Sequence, residues 1–224
     1  MNISNSLSKI KDNIPQSVNL VAVSKTKPNS YITEAYNAGQ RVFGENRPQE
    51  LQQKHSELPK DIEWHFIGHP QSKQVKYFSQ FVSLIHGVDS LKLLQVINKE
   101  GLKHNRTINC LLEFHIAEEA SKFGLNIENA EAILNNPEFK KLNNINICGV
   151  MGMATYTDNT EQIRGEFRNL KSIYDNIKQT FFKNSVPFNT ISMGMSGDYK
   201  IAIEEGSTMV RVGSSIFGSR ENIF

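Results

Sequence analysis

A lysine stands at the end of a short apolar run in Leu20-Val-Ala-Val-Ser-Lys25-Thr-Lys27-Pro28. The run has the length of a buried strand, and Pro28 can neither continue a sheet nor sit inside a helix, so Lys25 falls where a strand gives way to a loop. A lysine beside an apolar interior gives up its proton more readily than a solvated one, and the free amine attacks carbonyl carbon. A solvated strand-end lysine has the same local sequence, so the chemistry depends on what the rest of the chain brings to it.

Similar glycine-rich, polar clusters recur: Gly44-Glu45-Asn46-Arg47, Gly68-His69-Pro70-Gln71-Ser72, Gly152-Met153-Ala154-Thr155, Ser192-Met-Gly-Met-Ser196-Gly-Asp198 and Gly213-Ser214-Ser215. Each follows an apolar run. Ser196 opens a short helical segment, where a hydroxyl serves as a cap or as a phosphate donor. Gly213 and Ser214 offer backbone amides that no large side chain obstructs. Arg211 lies late in the last run, where burial is costly unless an acid or a polar ligand meets it.

The elements that position these clusters follow from periodicity. Apolar runs predict strands over residues 18–23, 40–43, 62–67, 81–86, 107–115, 145–151, 188–193 and 208–212. Between them, helical spacing predicts helices over 31–38, 47–55, 75–79, 91–100, 127–135, 160–182 and 198–205, and a first helix over 3–13 precedes the sheet. Eight strands alternating with helices in 224 residues predict a closed (β/α)₈ barrel with an extra N-terminal helix. An open doubly wound sheet would want a Gly-x-Gly-x-x-Gly turn after an early strand, and there is none. No linker, repeat or low-complexity segment divides the chain, so residues 1–224 are expected to form one domain. Barrel closure would bring all five clusters and Lys25 onto one rim, and barrels often bind phosphate between the last two strand-end loops.

Composition narrows the partners. The net charge of +2 gives no basis for nucleic acid or a membrane surface as the main partner. The N-terminus lacks a signal-peptide pattern and no apolar run approaches a membrane span, so a soluble cytoplasmic protein is expected. Cys110 and Cys148 each sit in an apolar run and read as buried free thiols; neither has the spacing of a metal site. A lysine facing a phosphate cradle suits an aldehyde that carries a phosphate. Pyridoxal 5′-phosphate (PLP) and the substrate of a sugar-phosphate aldolase both answer to that description.

The segments Ala22-Val-Ser-Lys25-Thr-Lys-Pro28, Phe43-Gly-Glu-Asn46, Trp64-His-Phe-Ile-Gly68, Gly149-Val-Met-Gly-Met-Ala154, Ser192-Met-Gly-Met-Ser196 and Met209-Val-Arg211-Val-Gly213-Ser-Ser-Ile-Phe-Gly218 resemble the pyridoxal phosphate homeostasis protein family. That family is similar in turn to the N-terminal barrel domain of alanine racemase. The resemblance implies intracellular PLP homeostasis without established catalytic turnover, and hence no catalytic residue and no metal. Lys25 would hold PLP as a reversible Schiff base, Asn46 would lie near it and Met153 beside its ring. Ser196, Gly213 and Ser214 would hold its phosphate, with Ser192 also in the cofactor set, and Arg211 would face the pyridine nitrogen. A guanidinium cannot accept a proton, so it would keep that nitrogen unprotonated and the ring a weak electron sink. Arg47 and Pro48 replace the family's usual aromatic and aliphatic residues. Pro70, Lys73 and Gln74 replace its leucine, asparagine and lysine.

Three functions are compatible with these residues. A monomeric PLP carrier would release its cargo to PLP-dependent apoenzymes or to amines. A PLP-dependent amino-acid racemase or lyase would need a second acid or base, which in the similar racemases comes from a C-terminal domain for which no room is expected here. Tyr156, His69 and His115 lie near the rim, but ordinary loop and hydrogen-bonded strand-end roles account for them. An interaction protein with a vestigial pocket is the third.

Overall fold

The computed structural model of the protein describes residues 2–118 and 123–218. The apolar runs form strands β1 (Asn19–Val23), β2 (Val42–Glu45), β3 (Glu63–Phe66), β4 (Leu84–Val88), β5 (Ile108–Phe114), β6 (Ile145–Gly152), β7 (Thr190–Ser192) and β8 (Met209–Val212). They pair in parallel in chain order, and β8 pairs with β1 through Asn19–Met209 to Ala22–Val212, which closes the barrel. The helices are α1 (Ile3–Asp12), α2 (Asn29–Asn37), α3 (Pro48–Glu57), α4 (Leu91–Lys103), α5 (Ile127–Asn135), α6 (Thr160–Phe181), α7 (Tyr199–Glu204) and α8 (Ser214–Phe217).

The expected barrel and N-terminal helix are both present. The connection before β4 departs from expectation. A 3₁₀ helix spans Ser72–Tyr77, fixed at its start by reciprocal Gln71 and Gln74 bonds, and Phe81 and Val82 then donate their amides to the Phe78 carbonyl. Those turns use up residues 78–82, so β4 starts three residues later than its apolar run. The 3₁₀ helix at Phe139–Lys141 and α8 were not foreseen, both being too short to show a period.

Apolar side chains pack in two layers. The outer one lies between strands and helices; α6 contributes Ile163, Phe167, Leu170, Tyr174 and Ile177, and α1 lies along α2 and α8 with Ile3, Leu7 and Ile10 buried. Each large side chain fully buried here is worth about 1.5–3 kcal/mol. The inner layer fills the lower barrel with Val21, Leu84, Leu111, Cys148, Met151 and Met209.

Alternation decides what faces inward. On β5, Leu111 and Glu113 share the inner face, and on β8 Met209 and Arg211 do. Two register shifts change the phase. Cys110 pairs with Ile147 but Leu111 pairs with Gly149, so β6 carries one extra residue, and Cys148 and Met151 both face inward. Likewise Ile85 pairs with Cys110 and Val88 with Leu112, one extra residue on β4. Gly149 permits its shift: its φ is +149°, and a Cβ there would stand 1.8 Å from the Thr190 carbonyl oxygen.

Candidate functional site

The half-buried Lys25 sits in a turn that neighbouring elements grip on both sides. Ser24 Oγ donates to Glu45 Oε1 at 2.6 Å, Lys54 Nζ donates to the Ser24 carbonyl at 2.8 Å, and the Thr26 amide donates to Glu50 Oε1 at 2.6 Å. Thr26 holds φ +64°, a left-handed conformation that a threonine adopts at a cost, so the surrounding bonds must impose it. Lys54 Nζ ties the group together, 2.8 Å from Glu45 Oε1 and 2.7 Å from Glu50 Oε1, the second an i,i+4 pair within α3. Burial pushes the Glu45 carboxyl above its usual range, and Lys54 opposes that shift.

Beneath Lys25 the barrel interior is polar. Arg211 is 4% exposed; its Nη1 donates to the Ser192 carbonyl at 2.8 Å and to Ser192 Oγ at 2.6 Å, and its Nη2 donates to the Gly152 carbonyl at 3.1 Å. Burial lowers its pKa to about 10, partly opposed by Asp198 and Glu113, so it remains a cation at neutral pH. Its burial is met by carbonyls and a hydroxyl. His86 and His65 extend this layer, both fully neutral at pH 7: burial brings His65 down to about 4, and burial, then His65 and Arg211, hold His86 well below the usual range.

The loops after β7 and β8 face each other beside Lys25. Ser196 Oγ accepts from the Gly213 amide at 3.1 Å and the Ser215 amide at 3.5 Å. It does not cap α7, whose N-cap position is Asp198; Asp198 Oδ1 instead accepts the Met195 amide at 2.5 Å. A Cβ on Gly213 would lie 3.1 Å from the Val23 carbonyl oxygen, so the absence of a side chain lets the end of β8 close against the strand that carries Lys25. Ser214 is exposed at the first position of α8.

The remaining expected residues lie on the same rim. Asn46 is exposed at the end of β2, its backbone packed against Gly68, where a Cβ would meet the Asn46 carbonyl oxygen at 2.7 Å. Met153 is half-buried against the inner apolar cluster. Ser192 is fully buried with its hydroxyl taken by Arg211 and His86, which places it behind the rim as a support for the arginine. His69 is not the plainly hydrogen-bonded histidine expected. Its Nδ1 lies 3.5 Å from Asp89 Oδ2 and 3.6 Å from Glu113 Oε2 without a hydrogen bond, and its ring stacks on Phe123 at 4.3 Å. Tyr156 is 97% exposed.

These residues fit pyridoxal phosphate by the chemistry of the donor set. Backbone amides and a hydroxyl meet at Ser196, Gly213 and Ser215, a donor set suited to a phosphate, and the buried Arg211 offers a donor suited to an aromatic nitrogen. Sequence reasoning missed Glu45, Lys54, His65, His86 and Glu113. The two histidines had a signal: each is a polar residue inside an otherwise apolar strand run, His65 between Trp64 and Phe66 and His86 after Ile85.

Set beside known proteins, the geometry falls into place: the chain belongs to the alanine racemase N-terminal domain family, whose model matches residues 1–221, and within it to the pyridoxal phosphate homeostasis proteins. It is 39% identical over 204 residues to the pyridoxal phosphate homeostasis protein of Aquifex aeolicus, covering 90% of this chain and 87% of that one. The Vibrio alginolyticus protein of the same name is 38% identical over 212 residues, 92% of this chain and 88% of that. Among solved structures, PipY of Synechococcus elongatus PCC7942 with PLP bound superposes with a TM-score of 0.87 at 32% identity, over 96% of this chain and all of that one. Clostridium difficile alanine racemase shares the fold, with a TM-score of 0.76 at 15% identity over 99% of this chain and 60% of its own. No helix among the described residues is long and apolar enough to cross a membrane.

Proposed function

We propose that this protein binds pyridoxal 5′-phosphate reversibly on Lys25 and serves to store and release it, with no catalytic turnover of its own. The observation that carries this reading is the meeting of β1 and β8: the closed barrel sets the Lys25 turn against Gly213, whose amide shares Ser196 with that of Ser215. When bound, PLP supplies an aldehyde that condenses with a primary amine. The chain's own part is to place that amine. The Ser24–Glu45–Lys54–Glu50 group fixes the turn that carries it. Ser196, Gly213 and Ser214 orient the phosphate, Asn46 and Met153 flank the ring, and Arg211 offers it a donor.

Release then goes to apoenzymes or amines, and the protein acts as a monomer in the cytoplasm. The racemase or lyase reading has less support, because neither Tyr156 nor His69 stands as a positioned acid opposite Lys25. Purified protein incubated with PLP is expected to develop a near-visible absorbance band that borohydride converts to a stable label on the Lys25 peptide. Lys25→Ala should abolish both; a band and label that persist in that variant would refute the assignment. Solvent-deuterium exchange at the α-carbon of added amino acids tests turnover, and exchange that depends on Lys25 would favour the enzyme.

A further inference from the structure

A chain of hydrogen bonds crosses the barrel beneath Lys25, from β8 to β7 and over to β4 and β3. Arg211 Nη1 lies 2.6 Å from Ser192 Oγ, Ser192 Oγ 3.1 Å from His86 Nδ1, and His86 Nε2 3.1 Å from His65 Nδ1. None of the four residues is more than 5% exposed. The role proposed for Arg211 makes no use of the two histidines.

The chain has a direction. A guanidinium only donates, so Ser192 Oγ must accept at that end. Its own proton then points to His86 Nδ1, which makes His86 the Nε2–H tautomer. That proton goes in turn to His65 Nδ1, and His65 also carries its proton on Nε2. In this sense each bond of the chain has one donor and one acceptor. In the reverse sense Arg211 and His86 would both donate into one hydroxyl oxygen, and the hydroxyl proton would be buried without an acceptor, which is costly. An imidazolium in the chain would place a second buried cation beside Arg211.

We propose that His86 and His65 are positioning residues for Arg211: with Ser192 they form a one-way hydrogen-bond chain that holds the guanidinium so that it presents an N–H donor to the ligand, and thereby favours a ligand whose ring carries a lone pair. This rests on the reading that PLP lies on that floor. A protonated or carbon-substituted ring position has no lone pair with which to accept from the guanidinium. The histidines act through Ser192 and need not touch the ligand.

Two measurements test the chain. In unliganded wild-type protein at neutral pH, ¹⁵N chemical shifts of both rings are expected to report neutral imidazoles protonated at Nε2; a ring protonated at Nδ1 or charged would overturn the direction. Affinities are then compared for PLP, for the analogue with C–H in place of the ring nitrogen, and for inorganic phosphate. Wild type should prefer PLP over the carbon analogue by roughly tenfold or more, the effect of one positioned hydrogen bond from a charged donor. His86→Leu should bring the two within about threefold while leaving phosphate affinity unchanged. His86→Asn, whose Oδ1 can accept the Ser192 hydroxyl, should restore the preference. Ser192→Ala cuts the same link with a smaller change if the leucine variant fails to fold. Undiminished preference in the cut variants would overturn the proposal. Absence of any PLP uptake by wild type would instead refute the function proposed above, and the selection with it, whereas the ring tautomers test the chain alone.

Discussion

Replacing Lys54 by methionine removes a buried charge from between Glu45 and Glu50 at little cost in volume. The side chains of Lys54 and Glu45 are 6% and 0% exposed and 2.8 Å apart. Removing one partner of such a pair costs about 3–5 kcal/mol, because the other charge stays buried. Ser24 still donates to Glu45, and Glu50 is one-fifth exposed and can turn to water, so about 3 kcal/mol is expected. For a chain of this size that lowers Tm by roughly 6–12 °C. Adding Glu45→Gln removes the stranded charge and should recover at least about 1.5 kcal/mol, a coupling that independent sites would not show. The pH dependence has a definite sign. The Glu45 carboxyl is already raised by burial, and without Lys54 to oppose it rises further. A carboxyl raised in the folded state loses its stabilising contribution as pH climbs through the folded value. The deficit of Lys54→Met should therefore be largest at neutral pH and shrink on acidification. Denaturation across a pH series measures all three terms. A deficit under about 1 kcal/mol, one that does not vary with pH, or a double variant no better than the single would refute the reasoning.

Ser196→Ala removes an oxygen shared by two loop amides; binding of phosphate-bearing ligands should weaken roughly tenfold in titration calorimetry with Tm little changed. His65 is neutral when buried, with a folded pKa near 4 against 6.5 for a free histidine. Unfolded chain thus binds the extra proton first, so stability falls as pH drops from about 6.5 to 4, and His65→Asn should flatten that fall by up to about 3 kcal/mol in acid denaturation. Gly149→Ala forces a Cβ into the Thr190 carbonyl and should cost more than about 4 kcal/mol, read as lost soluble yield and a collapse of Tm.

The order of the barrel was legible because its strands are apolar runs and its helices have caps and periods. The rim positions of Lys25, Ser196 and Gly213 were legible because each follows the end of an apolar strand run. Arg211 announced itself by the cost of burying it. The grip on Lys25 was not legible: Glu45 and Lys54 are nine residues apart, and only the packing of α3 over the ends of β1 and β2 brings them together. The polar floor needed closure, since His65, His86 and Ser192 lie on three separate strands. The start of β4 was misplaced because Phe81 and Val82 are apolar for the turn they make, not for a strand.

The extra residue on β6 makes the rim sensitive to the length of the chain as well as to its composition. Exchanging Cys148 for another small apolar residue preserves the count. Loss of Cys148 itself would let Gly149 follow Ile147 in plain alternation, whereas loss of Val150 would rotate every later side chain of the strand through half a turn and carry Met151 to the helix side. The overall hydrophobicity would barely change while the inner wall of the barrel was exchanged for another. Variants of this protein should accordingly tolerate in-frame deletions in the helix-to-strand loops far better than within β6, however conservative the residues removed.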